Sequence, residues 1–206
     1  MQALIASTWF TFVFTWFTPA VLFVVAVTAC IAYYRPLSDV RRTRIYTSLA
    51  IGVVVFRLFA AGLKTGLQYY TWTLTDVSKF MLPPHQSIGV LLQYVWTHFW
   101  LNAVIAIGAA LLFYIVLRLL RSHNERYFEE GEVELGFLMA LVVGWPYFVF
   151  FVPSVFLLVI FLSIIRGVFL HKPYTTLGVP FFLGAVIAYG VTSFIMDAYG
   201  LVQFSI

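Results

Sequence analysis

Apolar residues run almost unbroken from about Thr8 to Tyr34, and Arg35-Pro36 closes the run with its first charge followed by a residue that cannot extend a helix. A membrane span needs roughly 20 apolar residues. On that measure further segments stand out at Thr47 to Leu63, Ile88 to Leu120, Leu135 to Tyr147, Phe148 to Arg166 and Leu177 to Met196. The pattern predicts an all-α membrane protein with about six transmembrane helices in one domain, residues 1–206. The fourth segment is short. Gly144-Trp145-Pro146 is expected to turn the chain tightly into the fifth, because proline lacks the backbone donor that would continue a helix. Lys64 to Pro84 carries no obvious span and is expected to form a loop or a surface-lying helix.

Composition agrees with the pattern, since 63% of the 206 residues are hydrophobic and only 10% are charged. A chain of that make-up has the lipid bilayer as its solvent, and no nucleic-acid partner is expected. Aromatic residues make up 19%, the load expected of helices that face lipid and anchor at its interfaces. The first apolar run lacks a basic leader and is too long for a signal core, which predicts a retained helix. Cys30 is the single cysteine, so an internal disulfide and Cys-x-x-Cys metal or redox chemistry are excluded. No His-Glu-x-x-His spacing occurs, and no metal or cofactor is expected. Gly-x-Ser-x-Gly is absent, which disfavours a serine protease.

Charge gives the topology. Of the twelve Lys and Arg, nine fall in or beside three segments: Arg35, Arg41, Arg42 and Arg44; Arg118, Arg121 and Arg126; Arg166 and Lys172. With six spans these lie on one face, which the positive-inside rule makes cytoplasmic, leaving both termini on the non-cytoplasmic side. The same count brings two carboxylates to that face. Asp39 follows the first span, and Glu132 precedes the fourth. Arg57 is the basic residue inside a span, and its stem is expected to snorkel to the outer boundary. Thr97, His98 and Asn102 form a polar group in the third span. Interhelical hydrogen bonding explains it most simply, a proton or solute path being the alternative.

The segment Asp39-Val40-Arg41-Arg42-Thr43-Arg44-Ile45 resembles the first aspartate motif of the type IV prepilin leader peptidases and the related archaeal preflagellin peptidases, with Tyr46 where the family often has Pro. Gly131-Glu132-Val133-Glu134-Leu135 resembles the second motif, Gly-x-Gly-Asp-x-Lys-Leu. Leu177 to Gly184 is similar to the Pro-Phe-Gly-Pro stretch that opens the last family helix. The resemblance runs from about residue 20 to residue 190, in order and spacing more than in letters. It implies a membrane aspartic peptidase of a prokaryotic plasma membrane that removes the short basic leader of prepilin-like precursors at the cytoplasmic face. Asp39 and Glu132 would be its catalytic pair. The cysteine-rich methyltransferase insertion found in many bacterial members is absent.

The departures fall at the second motif, where Glu132 stands for Asp, Glu134 for Lys and Glu129 for the first Gly. An aspartic peptidase uses two carboxyls that share a proton, one activating water and the other polarising the scissile carbonyl. The extra methylene of Glu132 moves its carboxyl by about 1 Å, a displacement that can cost on the order of 100-fold in rate. Glu134 removes a cation and is expected to raise the proton affinity of nearby carboxyls. Gly131, Glu129, Glu130 and Glu134 would bind the substrate, the acidic run with Glu125 attracting its basic leader. The alternatives are a homologue that has lost hydrolysis and serves in binding or assembly, or a small transporter, for which no internal repeat is found.

Overall fold

The computed structural model describes residues 12–74, 78–123, 128–170 and 176–199, and every regular element among them is helical. Helix α1, Thr18–Tyr34, is preceded by a π turn, Val13–Phe17. It stops at Arg35, whose backbone turns extended (ψ 143°) as the residue before Pro36 must. Helix α2, Asp39–Leu74, begins with an acidic residue in its first turn, where the helix dipole favours negative charge. Helix α3, Ile88–Val95, passes through a π turn, Trp96–Trp100, into α4, Leu101–His123. Then follow α5, Glu132–Val143, α6, Phe148–Leu170, and α7, Gly178–Tyr199.

Among the described residues, four helical stretches are long and apolar enough to cross a membrane: Thr15–Tyr34, Asp39–Leu74, Ile88–His123 and Phe148–Val168, with a shorter apolar helix at Gly178–Thr192. The protein is an all-α membrane protein. Two expectations need correcting. The stretch after Lys64 is no loop, because α2 continues to Leu74. Thr65 and Thr71 turn their hydroxyls back to the carbonyls of Ala61 and Leu67, and no proline interrupts the chain before Pro83. Trp72 then packs with Leu82, Leu91 and Val95 in a small second core that zips α2 to α3. At 36 residues, α2 and the continuous α3–α4 are each about 54 Å long, more than the ~40–45 Å of a whole bilayer.

The fourth expected span is α5, whose 12 residues reach only about 18 Å. Ten of the twelve are buried, so this helix faces protein on all sides rather than lipid. The periodicity of its sequence gives no polar face to anchor it anywhere else. Gly131 meets Thr43 and Tyr46 near the start of α2, and Gly144 meets Arg57 farther along the same helix, so α5 runs parallel to α2. The main core is built around it from Tyr46, Val53, Phe113, Leu117, Phe151 and Phe181, drawn from α2, α4, α6 and α7.

Candidate functional site

Glu132 and Asp39 come to the same end of the bundle at different depths and in different surroundings. Gly131 holds φ +87°, a left-handed conformation open to glycine, and a Cβ there would lie 3.3 Å from the Thr43 hydroxyl and 3.6 Å from the Tyr46 ring. This turn seats the start of α5 on the first two turns of α2. Thr43 and Tyr46 follow Asp39 by four and seven residues, so Glu132 lies about 6–10 Å deeper along the bundle than Asp39. Gly131→Ala is therefore expected to lower stability by about 1–2 kcal/mol through the left-handed backbone alone. Thermal unfolding in detergent measures it, and an unchanged midpoint would mean that the turn is not held as described.

Glu132 is only 3% exposed. One carboxyl oxygen accepts the Gly178 backbone N–H and the other accepts that of Glu129, each at 3.0 Å. Gly178 opens α7, whose first N–H groups have no partner within their own helix, so a residue at the start of α5 satisfies the start of α7. Pro180 sits in that same first turn, where its missing donor costs nothing. A side chain on Gly178 would collide with the Tyr33 ring, which is why the two chain segments can approach this closely. Burial pushes the Glu132 carboxyl up to about 7, against the backbone donors of Glu129 and Gly178 that favour its ionised form. The Glu129 charge adds a smaller push in the same direction. The raised proton affinity expected from the sequence is thus present, but its main cause is burial and not the charge on Glu134.

Asp39 is 61% exposed, and its nearest described charge is the Arg42 guanidinium one turn on, 3.8 Å away. The acidic run divides. Glu129 and Glu130 are exposed at the surface, whereas Glu134 is half-buried with one oxygen lacking a partner among the described residues. Glu134 shares a hollow with Tyr114, Arg118, Arg121 and Ser122 of α4, so it faces a basic helix end rather than the Glu132 carboxyl. Glu125, Arg126 and Lys172 lie outside the described residues.

Other residues of this end escaped the sequence. Tyr46 is 1% exposed, packs under Gly131, and has a hydroxyl with no hydrogen-bond partner among the described residues. Tyr33 donates to Thr176 at 3.3 Å, tying α1 to the segment that leads into α7. Tyr46 carried a signal, since a tyrosine stands where the resembling family has proline, whereas the Tyr33–Thr176 and Glu132–Gly178 contacts span more than 40 residues and no local pattern encodes them.

At the opposite end Arg57 departs from expectation. Its Nε and Nη2 donate to the Leu141 carbonyl at 3.0 and 2.7 Å, and Nη2 reaches Val142 at 3.3 Å. The guanidinium turns inward instead of snorkelling, because the last carbonyls of the buried α5 have no other helix turn to satisfy them. Tyr189 of α7 helps by donating to the carbonyls of Val142 and Val143 at 3.2 and 3.4 Å. Both ends of α5 are therefore coordinated by other helices. Among the described residues no cluster of three metal-ligating side chains occurs. Comparison with known proteins finds no matching family model, no matching curated protein and no matching solved structure.

Proposed function

We propose that the chain is a membrane aspartic peptidase of the prepilin leader peptidase type, with six membrane segments, both termini outside and the Asp39 end in the cytoplasm of a prokaryote. The observation that carries this reading is the seating of the Gly131 turn on Thr43 and Tyr46, which brings both carboxylate-bearing helix starts to one end of the bundle. The unlike surroundings of the two carboxyls support a division of labour. Glu132, whose pKa burial pushes up to about 7 so that a substantial share stays protonated near neutral pH, is the acid that polarises a scissile carbonyl. Asp39, open to solvent, is the group that activates water. Hydrolysis requires the first turn of α2 to move inward and close the gap of about 6–10 Å set by helix rise. Glu129 and Glu130 are the exposed acids that would meet a basic leader, and cleavage would release it from the apolar helix of the precursor.

Loss of hydrolysis, with the fold kept as a binding or assembly component, is favoured by one observation: both Glu132 oxygens are already engaged by backbone donors. Purified protein in lipid, given a prepilin-like peptide, separates the two. The peptidase reading expects cleavage that falls on the order of 100-fold or more in both Asp39→Asn and Glu132→Gln. Cleavage surviving both changes sinks the pair. A wild type that binds the peptide in a salt-sensitive way without cutting it supports the scaffold, and salt-insensitive binding removes Glu129 and Glu130 from leader recognition.

A further inference from the structure

At the end of the bundle away from Asp39, a cavity of about 250 Å³ lies between α1, α2, α4, α7 and the turn after α5. It belongs to neither carboxylate, and the inference drawn from it does not depend on peptidase activity. Arg57 and Lys64 line it, joined by His98, Asn102, Tyr147 and Tyr189, and no Asp or Glu is among its described lining residues. Ala60, Ala61 and Ala103 form part of the wall, and their small side chains keep the space open.

The donors around this space are not all consumed by the fold. Arg57 uses Nε and Nη2 to hold the carbonyls of α5, and Nη1 takes no part in those bonds. The Thr18 Oγ1 atom lies on the wall, buried and without a hydrogen-bond partner among the described residues. His98 Nδ1 sits 2.9 Å from the Tyr94 carbonyl, an acceptor that spends the ring's Nδ1 donor within its own helix. The π turn Trp96–Trp100 is what places His98 here, and such turns recur at functional sites. A half-buried polar wall with an orphan hydroxyl on α1 and cationic side chains on α2 offers an anion both hydrogen-bond and charge partners.

Depth identifies the anion. Lys64 follows Arg44, the last basic residue of the Asp39 end, by 20 residues, or about 30 Å of helix, which is the thickness of the hydrocarbon core. Lys64 therefore stands at the far hydrocarbon–headgroup boundary. Trp100, whose indole donates to Thr65 at 3.1 Å, marks the same level with an interfacial aromatic. Arg57 lies about 10 Å deeper, at the base of the cavity. A tetrahedral oxyanion suits donors converging from several helices, and phosphate is the oxyanion concentrated at this depth.

We infer that this cavity binds a phosphate group, with Lys64 and Arg57 supplying the charge and Thr18 a hydroxyl donor. The phosphate belongs either to an anionic phospholipid of that leaflet or to free inorganic phosphate, and one experiment distinguishes them. Purified full-length protein is exchanged from phosphatidylcholine into phosphatidylglycerol bilayer discs, and retained lipid is counted by native mass spectrometry with and without millimolar inorganic phosphate. The wild type is expected to retain one phosphatidylglycerol. Retention should fall about tenfold in Lys64→Gln and in the isosteric Thr18→Val, the loss corresponding to one charge-assisted contact. Thr18→Val removes only an orphan hydroxyl, so its lipid-free unfolding midpoint should not fall, which keeps a binding loss distinct from misfolding. Displacement of the lipid by inorganic phosphate, or protection by phosphate alone, assigns the site to the free ion; retention unaffected by phosphate assigns it to the lipid. Equal retention by wild type and both variants, or no retention and no phosphate effect in the wild type, overturns the proposal.

Discussion

Replacing Arg57 with leucine is expected to destabilise the folded protein by roughly 3–5 kcal/mol, because hydrogen bonds to a charged donor contribute about 1.5–3 kcal/mol and two carbonyls lose theirs together. The carbonyls are those of Leu141, which is left without a side-chain donor, and Val142, which keeps only the Tyr189 hydroxyl, at the end of a helix buried over most of its length. Arg57→Lys should recover only part of the loss. An ammonium offers one point of charge, whereas the guanidinium reaches both carbonyls through donors fixed in a plane. Chemical or thermal unfolding in detergent measures the effect, with Arg57→Leu, Arg57→Lys and wild type compared under one lipid condition. A leucine variant as stable as wild type would mean that the cap of α5 is supplied in some other way.

Stability should also depend on pH through Glu132. The unfolded chain releases this proton near 4.5 and the folded chain near 7, so between those values the folded state binds more protons. Its contribution is full below pH 4.5 and is lost as pH rises to about 7, a change of roughly 3 kcal/mol. Glu132→Gln removes the titrating group and should flatten the difference, while leaving one acceptor oxygen for the Gly178 N–H. Glu132→Ala should cost about 1–3 kcal/mol at every pH, by leaving a buried donor at the start of α7 unmet. Unfolding midpoints followed across this pH window test the point. An identical slope in wild type and Glu132→Gln would assign the dependence to another group.

Much of this was open to reading from the chain itself. Glu132 stands at the start of the fourth segment as expected and Gly144-Trp145-Pro146 does turn α5 into α6, whereas Asp39, read as a charge after the first span, opens α2 eight residues before the expected Thr47. What the sequence hid were partners that are backbone atoms. Nothing near Arg57 announces two carbonyls 84 and 85 residues away, so a snorkelling side chain was the natural expectation. Glu132 reads as one acid in an acidic run, and only the arrival of Gly178, 46 residues later, turns it into a buried link between two helices. The extent of α2 was missed for a different reason. Polar and aromatic residues after Lys64 look like a loop when hydropathy alone is scored, yet threonines bonded to their own helix and a tryptophan packed against α3 carry the helix onward.

The shortness of α5 bears on how the protein enters the membrane. Twelve residues cannot cross the hydrocarbon core unaided, and neither end of α5 has its hydrogen-bonding groups met by neighbours in sequence alone. Arg57 is made long before α5, but Gly178 and Tyr189 are made after it. The segment that follows, Phe148–Val168, has the highest hydropathy of the four long spans and shows the smallest buried share, so it partitions into lipid on its own. An ordered biogenesis is the expected consequence: α5 should enter as the passenger of α6 through the Gly144 turn, with its hydrogen bonds completed once α7 is made.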